Sequence, residues 1–119
     1  MALRKEKLES FRNDLLARRA VLARGIHEAT HEMIETDLSF TDEVDQANAQ
    51  VDRGMLLQFK NRGRESLIQI DEALRRIDEG VFGECESCSE PIGEPRMKAY
   101  PATTLCIDCQ AELEFERRR

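Results

Sequence analysis

Phe82-Gly83-Glu84-Cys85-Glu86-Ser87-Cys88 and, further on, Leu105-Cys106-Ile107-Asp108-Cys109 hold all four cysteines of the chain. Each pair is Cys-x-x-Cys, with residues 89–105 between the pairs. Two intervening residues let both thiolates of a pair reach one ion. Two such pairs complete a tetrahedral four-sulfur shell, with Zn–S bonds of about 2.3 Å. No cysteine is left over and no coordination position stays open, so Cys85, Cys88, Cys106 and Cys109 point to one structural Zn2+. Two disulfides are the alternative. Nothing marks the chain as secreted, and cytosolic thiols stay reduced. Oxidation of such thiolates, with loss of the metal, would make a redox switch.

Composition bounds what surrounds this module. The chain has 119 residues, no Trp, five Phe, one Tyr and 35% charged residues. Such a chain cannot build a large globular core, and small cores need a staple. Zinc would supply one, and the segment it holds should unfold when the metal is removed. Met1-Ala2-Leu3-Arg4-Lys5-Glu6-Lys7 is charged, with no apolar run behind it, so no signal peptide is expected. No stretch approaches the ~20 apolar residues of a membrane span. The expected location is cytoplasmic.

Upstream of the cysteines the pattern is helical. Residues 3–36 carry apolar side chains three and four apart: Leu8, Phe11, Leu15, Leu22, Ile26, Ala29 and Met33. This is a narrow stripe of coiled-coil type, interrupted at Arg18 and Gly25. Residues 43–79 carry Leu67, Ile70, Leu74 and Ile77, running on to Val81; Met55, Leu56 and Phe59 extend the stripe backwards, and Gly54 and Gly63 weaken it. Two long helices with a short polar connection should fold back as an antiparallel hairpin. A parallel dimeric coiled coil is the alternative, disfavoured by the connection at 37–42. Gly80 should stop the second helix. The predicted class is therefore all-α: a long hairpin over residues 1–80 with an acidic tip at 37–47, then a four-cysteine zinc-finger module over 81–119. That module contains Pro91, Pro95 and Pro101 and closes in a short helix from Gln110 to about Arg118.

The acids are concentrated at the tip. Residues 35–52 hold Glu35, Asp37, Asp42, Glu43, Asp45 and Asp52 and no Lys or Arg, in a chain of net charge −6. Nucleic-acid binders neutralise phosphates with Lys and Arg. Direct DNA or RNA binding through the tip is thus disfavoured, whereas a basic pocket or a divalent cation on a partner would suit it. Helix capping by Thr41 or Asp42, and dipole complementation by Asp45, is the plainer account of the same acids.

His27-Glu28-Ala29-Thr30-His31 matches H-E-x-x-H, the zinc-binding helix of metallopeptidases. The chain has no third His and a hairpin offers no cleft, so two exposed imidazoles are the favoured reading over a peptidase. Arg96 and Lys98 could offset the negative charge of a zinc held by four thiolates; ordinary surface positions are slightly preferred for them.

Taken in order, these motifs resemble those of the DksA/TraR family of bacterial transcription regulators. Asp42-Glu43-Val44-Asp45-Gln46-Ala47 looks like that family's D-x-x-D-x-A tip. Phe82–Cys88, Pro91-Ile92-Gly93, Pro101-Ala102-Thr103 and Leu105–Cys109 look like its zinc module. The likeness covers nearly the whole chain and is nearest to the shorter members. It implies a regulator that binds RNA polymerase rather than DNA; a monomer without enzymatic activity is expected. The hairpin would enter the secondary channel, with Asp42, Asp45 and Ala47 as tip determinants and the zinc module against the outer rim. Members that respond to the alarmone ppGpp hold its phosphates with basic residues. The corresponding places here are Gln69, Tyr100 and Gln110, so weak ppGpp dependence is expected. A zinc-stabilised adaptor for another partner is the alternative function.

Overall fold

The computed structural model describes residues 4–39 and 43–118, with side chains over 4–35 and 50–118. The chain is all-α: a long antiparallel helical hairpin followed by a small four-cysteine module. Helix α1 spans Lys5–Ser39, α2 Glu43–Glu79, α3 Glu94–Ala99 and α4 Ile107–Arg117. Among the described residues, β pairing is confined to an isolated antiparallel bridge between Glu84 and Pro91. Two compact units are present, Arg18–Ile68 on one hand and Met1–Ala17 with Gln69–Arg119 on the other.

In the unit formed by the chain ends, the core is built from Phe11, Leu15, Ile70, Ala73, Ile77, Phe82, Ile92 and Met97. Leu15 is 0% exposed and Met97 1%, the largest fully buried side chains among the described residues. Phe11 from α1 packs on Phe82 from the module, with ring centroids 5.2 Å apart and tilted by 58°. Such tilted aromatic pairs contribute about 0.5–1.5 kcal/mol beyond their buried area. The first turns of α1 thus share their core with the zinc segment. Two ion pairs border it, Lys7 to Glu94 at 2.8 Å and Arg12 to Asp78 at 2.5 Å.

In the Arg18–Ile68 unit, Ala29 and Met33 are buried and Leu22, Ile26 and Leu56 half-buried. Here the expectation about Gly63 is corrected. Gly63 is buried, and a Cβ on it would lie 3.0 Å from Ile26 Cγ1. Gly25 likewise faces Phe59, with 3.2 Å from a Cβ to the ring Cζ. These glycines admit side chains of the opposing helix instead of weakening the seam. Leu56, Gly63, Ile70 and Ile77 follow a heptad register. Met55 is off that register and is 65% exposed.

Helix α2 ends as its sequence suggests. Gly80 adopts φ 78°, its N–H bonds the Ile77 carbonyl, and the Val81 N–H bonds the Arg76 carbonyl. This is a Schellman end, in which a left-handed residue satisfies carbonyls the helix leaves open. Two features of the module differ from expectation. Helix α3 was not foreseen; Pro95 stands in its first turn, where a missing N–H costs nothing. Helix α4 begins at Ile107, before Cys109, because the Cys106 sulfur caps it by accepting the Cys109 N–H.

Candidate metal centre

Two chain reversals bring the four cysteines together. Across the first pair, the Ile92 N–H bonds the Gly83 carbonyl at 2.8 Å and the Cys85 N–H bonds the Glu90 carbonyl at 2.8 Å. Just after it, the Ser89 N–H returns to the Cys85 carbonyl at 2.9 Å. Ser89 closes that turn at φ 64°, a left-handed conformation for a residue with a Cβ. The second pair is tied to the first by the Glu86 N–H on the Thr104 carbonyl at 2.8 Å.

All four sulfurs lie within 4.8 Å of one another. Cys88 and Cys106 are 3.9 Å apart at sulfur. A tetrahedron with metal–sulfur bonds of about 2.3 Å has edges of about 3.8 Å, so the donor set fits one Zn2+. All four cysteines are free, and the disulfide alternative is not what the fold contains. Cys85 is buried, Cys106 and Cys109 half-buried and Cys88 exposed.

Backbone N–H groups prepare the sulfurs for charge. Cys106 donates its N–H to the Cys85 sulfur at 3.4 Å, and Cys109 to the Cys106 sulfur at 3.4 Å. Burial pushes the Cys85 thiol up, but the N–H groups of Cys106, Cys88 and Ser87 together outweigh it and hold the thiol below its usual range. Hydrogen bonding to the Cys106 and then the Cys85 sulfur pushes Cys109 the other way. A bound divalent cation favours the deprotonated form of every thiol that ligates it. The Cys106 sulfur also lies at the N-terminus of α4, where the helix dipole favours negative charge.

The remaining predicted residues fall in several places. Arg96 is half-buried: its Nε donates to the Leu105 carbonyl at 3.1 Å and its guanidinium lies 5.9 Å from the Tyr100 ring centroid. It therefore braces the residue before Cys106, a role the sequence reading missed. Lys98 lies 3.8 Å from Glu94. His27 and His31 are both exposed on α1, and His31 Nε2 lies 3.0 Å from a Glu35 oxygen. Among the described residues, clustered metal-ligand side chains occur only at the four cysteines. Asp42 lies outside the described residues. Asp45 and Ala47 fall in the first turns of α2, with side chains outside the described set. Gln69 and Tyr100 are exposed, and Gln110 Nε2 donates to Glu114 at 3.1 Å.

Comparison with known proteins follows this geometry. Residues 7–77 match the family model described as the DnaK suppressor protein DksA N-terminal domain, and residues 80–115 match the prokaryotic dksA/traR C4-type zinc finger. The chain belongs to the DksA/TraR family. The RNA polymerase-binding transcription factor DksA of Caulobacter vibrioides is 33% identical over 112 residues, covering 94% of this chain and 79% of the relative. The Escherichia coli K12 protein of the same name is 31% identical over 113 residues, covering 95% and 75%. The transcription factor DksA2 from Pseudomonas aeruginosa superposes with a TM-score of 0.87 at 32% identity, covering 97% of this chain and 88% of that one. This DksA/TraR chain has, among its described residues, no helix long and apolar enough to cross a membrane.

Proposed function

We propose that this protein is a transcription factor that binds RNA polymerase and places the tip of its helical hairpin in the enzyme's secondary channel. The observation that carries the reading is the order of parts in one chain. A helical hairpin runs straight into a closed four-cysteine module, over the span shared with relatives named as RNA polymerase-binding transcription factors. An arm with carboxylates at its end suits a channel that leads to a metal-bearing, basic interior. On this reading residues 1–80 are the arm and 81–119 the module that seats it. Asp42, Asp45 and Ala47 act at the tip. Cys85, Cys88, Cys106 and Cys109 hold one zinc that shapes the module and takes no part in chemistry, since a shell of four thiolates leaves no position for substrate.

The protein then works in the cytoplasm as a monomer, without enzymatic activity and without reading DNA sequence. Gln69, Tyr100 and Gln110 offer phosphate no cation, so regulation depends little on ppGpp. Retention of bacterial RNA polymerase by the tagged chain, with displacement by a known secondary-channel ligand, tests the reading. Polymerase that is not retained, with another protein captured in its place, would favour the adaptor instead.

A further inference from the structure

Arg76 sits where α2 hands over to the metal module, and it is 8% exposed, the one buried charged side chain among the described residues. Arginine is almost never buried without partners, because an unpaired charge in an apolar surround is very costly. The Arg76 Nη2 donates to the Val81 carbonyl at 3.1 Å and to the Glu84 carbonyl at 2.5 Å. Its own carbonyl accepts the Val81 N–H at 3.0 Å. One residue therefore grips Val81 from both sides and reaches across to Glu84, the neighbour of Cys85. Cys85 is the most buried of the four cysteines, and its sulfur takes the N–H of Cys106 from the second pair.

We infer that Arg76 is a positioning residue for the metal site, fixing the Val81–Glu84 segment so that the Cys85 sulfur meets the other three; this rests on the zinc reading of the four cysteines. Both acceptors are neutral backbone carbonyls, so the contact does not depend on an opposing charge. Both bonds come from one nitrogen, Nη2, so the guanidinium is used for its reach and for the two N–H groups that its plane holds in fixed directions. A lysine at the same position keeps the charge but has one compact head, so it restores the arrangement in part.

The test uses the full chain loaded with zinc. Wild type, Arg76→Met and Arg76→Lys are titrated with a competing chromogenic chelator, and cobalt-substituted samples are compared in the visible absorption of tetrahedral thiolate sites. Loss of outer-shell partners lowers metal affinity by about 10–100-fold, which is the fall expected for Arg76→Met, with Arg76→Lys between it and wild type. The cobalt bands of Arg76→Met should weaken or shift. The helical signal of the metal-stripped chains should melt alike in wild type and variants. Affinity within about two-fold of wild type in both variants would overturn the inference, given the usual size of such effects. So would a loss of metal-free stability large enough to account for the whole fall. If Arg76→Met does not fold, Arg76→Lys decides by the same criteria. Wild type that fails to take up one zinc per chain would instead remove the zinc reading itself.

Discussion

Leu15 and Leu16 are neighbours in sequence and opposites in energy. Leu15 is 0% exposed and Leu16 47%. Leu15→Ala should cost about 2–5 kcal/mol through lost transfer energy and the cavity left behind. Leu16→Ala should change stability by no more than about 0.5 kcal/mol. Urea denaturation of the two variants checks this, and equal losses would contradict the packing described. Ser89 gives a test of opposite sign. Its φ of 64° carries a left-handed cost of about 1–2 kcal/mol that glycine does not incur. Ser89→Gly should therefore stabilise the module, net of the glycine's extra unfolded-state freedom, by roughly 0.5–1 kcal/mol. Thermal melting reads it; a fall in melting temperature would mean that the turn needs the serine side chain. The cysteines announced themselves in the sequence, since spacing alone restricts what two Cys-x-x-Cys pairs can do. Arg76 did not, and Arg96 stood out only as a counter-charge to the zinc, not as a brace on the backbone. Their work is done on the backbone carbonyls of Val81, Glu84 and Leu105. A carbonyl has the same appearance at every residue, so no pattern of side chains could point to it.

At the scale of the helices, the glycines separate by what lies opposite them. A Cβ on Gly54 would meet nothing within 4 Å, whereas one on Gly63 would press on Ile26. Gly54→Ala should gain about 0.5–1 kcal/mol from helix propensity and a less flexible unfolded chain. Gly63→Ala gains the same propensity but must displace Ile26, and overpacking typically costs about 1–3 kcal/mol. Gly63→Ala should therefore be the less stable of the two by circular-dichroism melting; the reverse order would argue against the close approach. Helix existence was legible because periodicity over long segments is a strong signal, and the stop at Gly80 was legible because few residues accept a positive φ. The stripe position of Met55 was not, because an off-register apolar residue is identical in sequence to a core one. Helix α3 hid behind Pro95, which reads as a breaker inside a helix and as a starter in its first turn. The early start of α4 depends on a sulfur cap, which only the folded arrangement of Cys106 and Cys109 reveals.

At the scale of the whole molecule, the zinc segment and the Arg18–Ile68 unit should respond differently to metal removal. Thiolate-bound zinc contributes roughly 10–16 kcal/mol in small finger peptides, and the apolar core within residues 81–109 is otherwise Phe82, Ile92 and Met97. Chelation should abolish amide-exchange protection across 81–109, and weaken it in the first turns of α1, which share Phe11–Phe82 packing with the module. Residues 18–35 and 50–68 should keep theirs. Uniform loss would mean that the metal holds the entire hairpin. The class of the protein was legible from its motifs in order, and kinship to the DksA/TraR family bears this out. The residues alone did not separate a functional role of the tip acids from capping, because α2 begins at Glu43, directly after Asp42 in sequence, and holds Asp45 in its first turn, where the helix dipole favours acids in any case. The most direct measurement is the lifetime of promoter complexes with wild type and with an Asp42→Asn/Asp45→Asn variant, with polymerase binding measured on the same samples. The variant should bind polymerase with near wild-type affinity and leave promoter lifetimes as they are without the factor. A variant that still alters those lifetimes as wild type does would contradict a regulatory tip.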